Sequence, residues 1–332
     1  MQRIRDPPMT ALIVGCGLGG LACAIACLRG GLAVKILEKS SELGEVGAGI
    51  QVPPNAVRVL DHYGLVPHLE SYGAIRVAEI GLLRYSDGKP IATMPGDEWM
   101  RRQFGHSLGL AIGANVGSVI HRADYHAMLL EEAKRLGAVI RLDAEVVEVN
   151  SDNTYVLLAS GEKVSADVII GADGLRSVVR DEVLGYHQEP TETGDLAYRA
   201  TITGELVEAI NDPFLEKSAL RAWIGPHQHA VLYPVRNKLC YNLVLLCPDD
   251  LPPDVPAAEG NVQEMRALFQ GWDHRLTALI EKVSSVLKWK ICHMKELDTW
   301  CKNRTALLGD ACHPTLPYQA QGAAMAVEDG AA

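Results

Sequence analysis

The feature that most constrains this chain is a glycine-rich stretch near its start, ALIVGCGLGGLACAIACLRGGLAVKILEKS. Residues 11–14 are short, apolar and partly β-branched, which predicts a buried strand. Gly15, Gly17 and Gly20 then form G-x-G-x-x-G, and the apolar run behind them predicts a helix that ends at the Gly30-Gly31 turn. Residues 33–37 predict a second strand.

Each glycine of this loop has a structural role in a dinucleotide-binding site. Gly15 permits the tight turn, Gly17 lets the backbone approach a pyrophosphate, and Gly20 lets helix and strand pack closely. The helix N-terminus offers free amides and a positive dipole end to phosphates. Glu38 follows about 20 residues later, where a carboxylate accepts hydrogen bonds from ribose hydroxyls. The unit therefore predicts a bound dinucleotide.

Composition excludes several other classes of protein. A length of 332 residues predicts about two domains, and a net charge of −10 disfavours nucleic-acid binding. The eight cysteines include no Cys-x-x-Cys pair, so we expect free thiols, no metal site and a cytoplasmic protein. Glycines interrupt the apolar run near the start, which argues against a signal peptide or a membrane span.

Two further carboxylates lie at predicted strand ends. A buried strand ends at Gly171 and is followed by an Asp173-Gly174 turn, and the strand at residues 305–308 is followed by Asp310. Open α/β sheets bind ligands at the carboxyl ends of their strands, so both aspartates are candidate ligand contacts. Asp-Gly is also a common plain turn, so the structural alternative for Asp173 stays open.

The middle of the chain has a different sequence pattern. Alternating strands, prolines and turn residues dominate residues 186–294, which predicts an antiparallel sheet able to cover a site. The Gly-rich loop at residues 44–49 suits a large planar cofactor such as FAD.

The G-x-G-x-x-G with Glu38, the Asp173 turn and the Asp310 loop, in this order, resemble the FAD-dependent aromatic hydroxylases (group A flavoprotein monooxygenases). The stretches HRADYHAML, YRATI, WIGPHQHAVLYPVR and GDACHPTLPYQAQGAAMAVEDGAA are most similar to the fungal salicylate-hydroxylase-like branch. The resemblance covers nearly the whole chain and implies the α/β p-hydroxybenzoate hydroxylase fold.

That fold implies a Rossmann-like FAD-binding domain at residues 9–75, 110–185 and 295–332. It implies an antiparallel-sheet substrate domain at residues 76–109 and 186–294. Relatives continue with C-terminal helices, so we expect that helical part to be missing after Ala332.

The resemblance also assigns cofactor contacts. It implies that Asp310 binds the ribityl chain of FAD, that Pro314 and Pro317 shape the loop beside the flavin ring, and that a helix near Gln321 points its N-terminus at the pyrimidine edge. His313 is expected to shape the backbone there. Further cofactor contacts are expected at three positions: Gly49, Arg122 and Ala323. Asp173 matches a motif shared between FAD and nicotinamide binding.

The resemblance implies hydroxylation of a phenolic or aromatic-acid substrate, in secondary metabolism. The co-substrates would be NAD(P)H and O2, and a flavin C4a-hydroperoxide would be the oxygen donor. Arg199 and Tyr233 are the candidate catalytic residues: the first to hold a phenolate or carboxylate, the second to bind or relay the phenolic proton. Each has a structural alternative, as a surface sheet residue and a core aromatic. We expect no nucleic-acid, metal or membrane partner, and the oligomeric state stays open.

The chain departs from the family pattern at two neighbouring positions. Ala320 stands where a glycine is frequent, and Gln319 where an arginine is common. Two alternatives therefore accompany the hydroxylase prediction: a truncated remnant that binds FAD poorly and acts as a non-enzyme, and a flavin oxidase or dehydrogenase without oxygen insertion.

Overall fold

The structure is a computed structural model that describes residues 8–43, 49–95 and 118–332. Most of the Gly-rich loop singled out above, residues 44–48, lies outside the described residues. None of the helices within the described ranges combines the length and the apolarity needed to cross a bilayer.

The strands in chain order are β1 (Thr10–Val14), β2 (Ala33–Leu37), β3 (Gly49–Val52), β4 (Ile75–Arg76), β5 (Glu79–Arg84), β6 (Pro90–Pro95), β7 (Ser118–His121), β8 (Val139–Arg141), β9 (Val146–Asn150), β10 (Tyr155–Leu158), β11 (Lys163–Ser165), β12 (Val168–Gly171), β13 (Thr191–Thr203), β14 (Ala219–Gly225), β15 (Gln228–Val235), β16 (Cys240–Pro248), β17 (Ala257–Glu259), β18 (Leu287–His293), β19 (Cys301–Lys302) and β20 (Thr305–Leu307). The α-helices are α1 (Leu18–Arg29), α2 (Pro54–His62), α3 (Val66–Ser71), α4 (Arg122–Leu136), α5 (Val178–Leu184), α6 (Gly204–Glu208), α7 (Pro213–Glu216), α8 (Val262–Leu268), α9 (His274–Glu281) and α10 (Gly322–Asp329).

The chain divides into two compact units. The first comprises Met1–Glu45, Tyr125–Thr191 and Cys292–Ala332. Its main sheet has the strand order β19-β20-β12-β1-β2-β8 and is parallel except for the β19–β20 pair. This unit also contains the three-stranded antiparallel sheet β11-β10-β9.

The β1–α1–β2 segment of this unit folds as the sequence predicts. Residues 11–13 of β1 are fully buried, as expected for a central parallel strand that is covered on both faces. The helix ends at Arg29 with Gly30 as its C-cap, and the following Gly31 has φ +84°, a left-handed conformation that glycine adopts without strain.

The second unit comprises Val46–Asp124 and Glu192–Ile291. Its eight-stranded sheet has the order β17-β18-β13-β16-β15-β14-β5-β6, and a small sheet has the order β3-β7-β4. The large sheet is antiparallel at most of its pairings, although β14 and β5 run parallel. Alternate residues of its strands share a buried apolar cluster with side chains of α8 and α9.

These sheets confirm the predicted fold class, a Rossmann-like parallel sheet accompanied by a largely antiparallel one. The compact units do not follow the predicted domain boundaries everywhere: residues 49–75 and 118–124, which the sequence assigned to the FAD-binding domain, belong to the second unit. Compactness and cofactor contact are different criteria, so the domain assignment stays a prediction.

Candidate functional site

Four consecutive parallel strands of the first unit, β20, β12, β1 and β2, each end at a segment that the sequence singled out. Their last residues are in register: Leu307 pairs with Gly171, Gly171 with Val14, and Val14 with Leu37. Each following turn is tied to the neighbouring strand end by a backbone hydrogen bond: Gly15 N–H donates to Leu37, Ala172 N–H to Val14 and Leu308 N–H to Gly171, at 2.8, 2.8 and 2.9 Å. The structure therefore brings the glycine loop, Glu38, Asp173 and Asp310 to one edge of one sheet, as predicted.

Two glycines of the loop are required by the protein itself. Gly15 has φ +104°, and a Cβ there would lie 2.3 Å from the carbonyl oxygen of Ala172. A Cβ on Gly20 would lie 2.2 Å from the carbonyl oxygen of Gly15. Both distances are impossible for real atoms, so these positions admit only glycine while helix α1 packs so closely on the turn.

Gly17 is different, because nothing in the described protein requires it. Its φ is −78° and its ψ −175°, which any residue can adopt, and a Cβ there would meet no atom within 4 Å. Gly17 is the N-cap of α1, and no side chain caps the helix. The open space faces a helix N-terminus with free amide donors, which is the arrangement that binds phosphate. The residues present therefore fit the pyrophosphate of a dinucleotide.

Glu38 lies at the end of β2 with its carboxylate held in place. Oε2 accepts a hydrogen bond from the Cys16 N–H at 2.9 Å, and Oε1 accepts one from the Ser40 N–H at 3.0 Å. Each carboxylate oxygen has a second lone pair, so both can still accept a ribose hydroxyl. The first of these bonds also couples the carboxylate to the glycine loop.

Asp173 uses its carboxylate within its own turn. Oδ1 accepts from the Ser177 hydroxyl at 2.5 Å, and Oδ2 from the N–H groups of Val178 and Val179 at 2.8 and 3.2 Å. Ser177 is in turn the N-cap of α5, accepting from the Arg180 N–H. Burial raises the pKa of Asp173 in spite of these donors. These contacts give Asp173 a structural use, and its role toward FAD or a nicotinamide stays a prediction.

Arg180 connects two of the strand-end turns, which sequence reasoning missed. Its side chain is 1% exposed, and its terminal nitrogens donate to the carbonyl oxygens of Leu175 and Ala311 at 2.9 and 3.4 Å. Burial lowers the pKa of this guanidinium. The sequence shows an arginine in the predicted helix after Asp173-Gly174, but it does not indicate which groups that side chain contacts.

The Gly309-Asp310 turn lies along helix α10. Gly309 has φ +59°, and a Cβ there would lie 2.9 Å from the Cβ of Ala326. Asp310 is exposed, and its Oδ1 lies 3.9 Å from where a Cβ of Gly322 would be, so the carboxylate is near the first turn of the helix. Gln321 is the N-cap of α10, with Ala323 in that first turn, and no side-chain cap bond is made within the described part of the chain.

The loop between Asp310 and α10 contains two prolines, and their role in shaping it beside the flavin ring stays a prediction. Pro317 opens the 3₁₀ turn Pro317–Gln319, and Pro314 lies between the two turns. Ala320 then has φ +52°, a left-handed conformation that favours glycine. The departure from the family glycine therefore places a Cβ on strained backbone.

The candidate contacts Gly49 and Arg122 belong to the second unit. Gly49 begins β3 and pairs with His121 of β7, so Arg122, the next residue, starts α4 beside it. A Cβ on Gly49 would lie 2.2 Å from Cε2 of Tyr233. That aromatic ring alone explains the glycine, and the cofactor role of both residues stays a prediction.

Arg199 and Tyr233 lie on one face of the eight-stranded sheet. Strand β16 separates them: Arg199 pairs with Val244, and Tyr233 pairs with Asn242. Nε of Arg199 is buried and has no hydrogen-bond partner among the described residues, and burial lowers the pKa of the guanidinium. A buried N–H of a cationic group that has no partner among the described residues suits an anionic ligand. Its role toward substrate stays a prediction.

The Tyr233 hydroxyl donates a 2.6 Å hydrogen bond to the carbonyl oxygen of Gly49. The side chain is 7% exposed, and burial raises its pKa, so the phenol stays protonated. Sequence reasoning overlooked the neighbouring Asn242, which is 1% exposed and whose amide oxygen and nitrogen have no partner among the described residues. Strand alternation alone could not reveal that these side chains share a face, because the pairing register was unknown.

A thiol, an imidazole and a carboxylate cluster behind the Asp310 turn. The ligand atoms of Cys312, His313 and Asp329 lie within 4.8 Å of one another. His313 Nε2 lies 2.6 Å from Asp329 Oδ2, and the Cys312 thiol donates to the Gly309 carbonyl oxygen at 3.3 Å. The hydrogen bond to Asp329 raises the pKa of His313 to about 10. The His313 side chain thus contacts the end of α10 through Asp329, which the sequence did not predict, and its role in shaping the backbone stays a prediction.

Comparisons with known proteins agree with this geometry. The family described as FAD binding domain matches residues 8–332. The FAD-dependent monooxygenase OpS4 of Beauveria bassiana is 39% identical, over 100% of this chain and 77% of its own length. The 3-hydroxybenzoate 6-hydroxylase 1 of Aquipseudomonas alcaligenes is 36% identical, over 96% and 78%. A salicylate hydroxylase substrate complex superposes with a TM-score of 0.80 at 25% identity, covering 98% of this chain and 79% of that one.

The family match spans nearly all of the chain, and both curated relatives exceed the identity at which family membership is secure. The resemblance read from the glycine loop and the two aspartate turns is confirmed, and so is FAD as the cofactor. The chain therefore belongs to the FAD-binding-domain family and is an FAD-dependent monooxygenase of the aromatic hydroxylase type.

Proposed function

We propose that this enzyme hydroxylates a phenolic or aromatic-acid substrate with NAD(P)H and O2 as co-substrates. The observation that carries the proposal is a pair of polar side chains, Arg199 and Asn242, which lie beside Tyr233 on one sheet face and have buried nitrogen or oxygen atoms without a hydrogen-bond partner among the described residues. Two relatives are named for small aromatic acids, 3-hydroxybenzoate and salicylate, which supports the same substrate class.

The cofactor part of the proposal assigns one task to each strand-end segment. The amides at the start of α1 bind the pyrophosphate, Glu38 accepts from the adenosine ribose, and Asp310 accepts from the ribityl hydroxyls. The uncapped start of α10, with Ala323, faces the pyrimidine edge of the flavin and stabilises negative charge there through its amides and dipole. The bound flavin supplies electron transfer and oxygen activation.

The substrate part assigns roles by protonation state. Arg199 holds the carboxylate or phenolate, because its guanidinium is a buried cationic donor with an unused N–H. Tyr233 keeps its proton and serves as a hydrogen-bond donor that orients the ring, since burial raises its pKa. Excluding water from this face protects the reaction from unproductive peroxide release.

The test is anaerobic mixing of the FAD-loaded protein with NADH or NADPH, in the presence of a panel of phenolic acids and neutral phenols. The proposal expects one compound class to accelerate flavin bleaching and, after air is admitted, to yield a hydroxylated product. Comparing the two reductants decides which nucleotide is the donor. Peroxide formation without hydroxylated product for every compound would instead support the oxidase alternative.

A pair of arginine variants sharpens the test. Arg199→Met should raise the KM of carboxylate-bearing substrates by about 100-fold, and that of neutral phenols much less, because a charged hydrogen bond is lost. Arg76→Met is the matched control: Arg76 is in the same unit, exposed, and paired with Glu70 at 2.8 Å. Equal losses for both substrate classes would remove the assignment of Arg199.

A further inference from the structure

Asp329 makes contacts that the mechanism described so far does not use. It is the last residue of α10, and its side chain is 23% exposed. One oxygen, Oδ2, accepts the Gly309 N–H at 2.8 Å and lies 2.6 Å from His313 Nε2. Gly309 and His313 flank Asp310 in the chain. A single carboxylate oxygen therefore holds both sides of the turn that carries the proposed ribityl ligand.

The opposite end of the same helix meets the same turn. Asp310 Oδ1 lies 3.9 Å, and the Thr315 hydroxyl oxygen 2.9 Å, from where a Cβ of Gly322 would be. Between the two ends, Gly309 packs against Ala326 closely enough to exclude a Cβ. The turn thus runs along α10, lies close to the first turn of the helix, and is hydrogen-bonded to the helix at Asp329. Any loosening at the C-terminal end shifts Asp310 relative to the N-terminal end.

Charge strengthens the C-terminal attachment. The hydrogen bond to Asp329 is the largest cause that raises the pKa of His313 to about 10, so the imidazole is protonated at neutral pH. A cation at the last turn of a helix is stabilised by the helix dipole. The indole ring of Trp300 packs against the imidazole, with centroids 5.2 Å apart, and the His313 and Asp329 side chains are 13% and 23% exposed. The attachment is therefore an ion pair in a partly buried place.

A metal site is the competing explanation, because Cys312 Sγ lies near the same two groups. Hydrogen bonds already use these atoms, however. The carboxylate oxygen accepts the Gly309 N–H, and the thiol donates to the Gly309 carbonyl oxygen. A cation bound between them would displace contacts that hold the turn, so the geometry favours a proton-mediated attachment.

We propose that Asp329 is a positioning residue of the cofactor site: by holding Gly309 and His313 from the end of α10, it fixes Asp310 beside the start of that helix and so sets the affinity for FAD. This inference rests on the proposed contact between Asp310 and the cofactor. Asp329, at the far end of the helix, would thus contribute to FAD affinity without contacting the cofactor.

The test is a double-mutant cycle on FAD affinity, measured by flavin fluorescence with the apoprotein. Asp329→Asn preserves shape and removes charge, and it should weaken FAD binding about tenfold, the effect of one charged hydrogen bond. In an Asp310→Asn background the same change should cost less than about twofold, because its effect passes through Asp310. Glu148→Gln is the control, an exposed acid on β9 of the same unit, and should change nothing.

Losses that multiply in the double variant would overturn the proposal, since Asp329 would then act independently of Asp310. So would an Asp310→Asn variant with unchanged affinity, which also removes the assumed ribityl contact. Zinc retained in stoichiometric amount by the purified protein and lost in Asp329→Asn would replace the proposal with the metal site. If Asp329→Asn does not fold, His313→Gln loosens the same turn from its other side, and the cycle with Asp310→Asn gives the same decision. These outcomes do not depend on hydroxylation, so failure of the proposed substrate class is seen separately.

Discussion

Replacing Gly17 with alanine separates the demands of the cofactor from those of the fold. The backbone at Gly17 is acceptable to any residue, and a Cβ there meets no atom of the described residues within 4 Å. In the apoprotein, two small effects oppose each other. Alanine restricts the unfolded chain, a gain of about 0.4–1 kcal/mol, and is a poorer helix N-cap than glycine, a loss of similar size. We expect the free energy of unfolding of the apoprotein to change by less than about 0.5 kcal/mol.

FAD binding should respond strongly to the same change. A Cβ at Gly17 enters the open space in front of the helix amides and pushes the pyrophosphate away from them. Charged hydrogen bonds contribute about 1.5–3 kcal/mol each, so weakening one or two costs about 3 kcal/mol, or roughly 100-fold in the dissociation constant. Titrating apoprotein with FAD, followed by flavin fluorescence, measures this directly.

Gly20→Ala is the matched control, three residues further along the same loop. Its Cβ would lie 2.2 Å from the Gly15 carbonyl oxygen, so backbone must move and the apoprotein should lose about 1–3 kcal/mol of stability. Denaturant unfolding of both apoproteins gives the comparison. If Gly17→Ala destabilised the apoprotein as much as Gly20→Ala and left FAD affinity intact, the inference that Gly17 serves the phosphates would be refuted.

Three other changes give equally direct tests. Ala320→Gly relieves the strain of a side chain at φ +52°, which costs about 1–2 kcal/mol. Glycine also raises the entropy of the unfolded chain, which costs about 0.4–1 kcal/mol of stability, so denaturant unfolding should show a net stabilisation of about 0.5 kcal/mol. A loss of stability would show that the left-handed turn is not formed. Tyr233→Phe removes the hydroxyl that donates to Gly49 and should lower the free energy of unfolding by about 1 kcal/mol, whereas unchanged stability would mean that this bond is absent in solution. The pKa of His313 is raised by folding from 6.5 to about 10, so the stability that its charge contributes is complete below pH 6.5 and is lost as the pH rises toward 10. Stability of the wild type should therefore fall more steeply across that window than stability of His313→Gln, and parallel curves would contradict the ion pair.

The sheet edge that carries the glycine loop and Glu38 could be predicted from sequence because its signals are local. A strand, a glycine loop, a helix and an acid follow one another within about 30 residues, and the physical reason for each is known. The two aspartate turns could be placed at the same edge because parallel strands end together. The distinction between Gly15, Gly20 and Gly17 needed coordinates, since only the structure shows which missing Cβ would meet protein and which would meet open space.

The contacts that join distant segments could not be read from the chain. Arg180 donates a hydrogen bond to Ala311, which is 131 residues later in the chain, and Asp329 accepts one from Gly309, which is 20 residues earlier. Asn242 became a candidate only when the strand register placed it beside Tyr233. Asp173 was correctly located at a strand end, but its bonds to the start of α5 depend on a rotamer that sequence does not specify.

The close approach of α1 and α10 has a consequence for how such a site could change. A Cβ on Gly19 would lie 3.1 Å from the Ala326 Cβ and carbonyl oxygen, and one on Gly330 would lie 2.6 Å from the Cys23 amide nitrogen. Only hydrogen atoms separate the two backbones there. A larger side chain at the contact, or a tilt of one helix, would therefore displace the other helix. If α1 binds the pyrophosphate and α10 faces the flavin ring, as proposed, the dipoles of the two helices are mechanically coupled. Substitutions selected for tighter nucleotide retention at this seam would therefore be expected to alter the reduction potential as well.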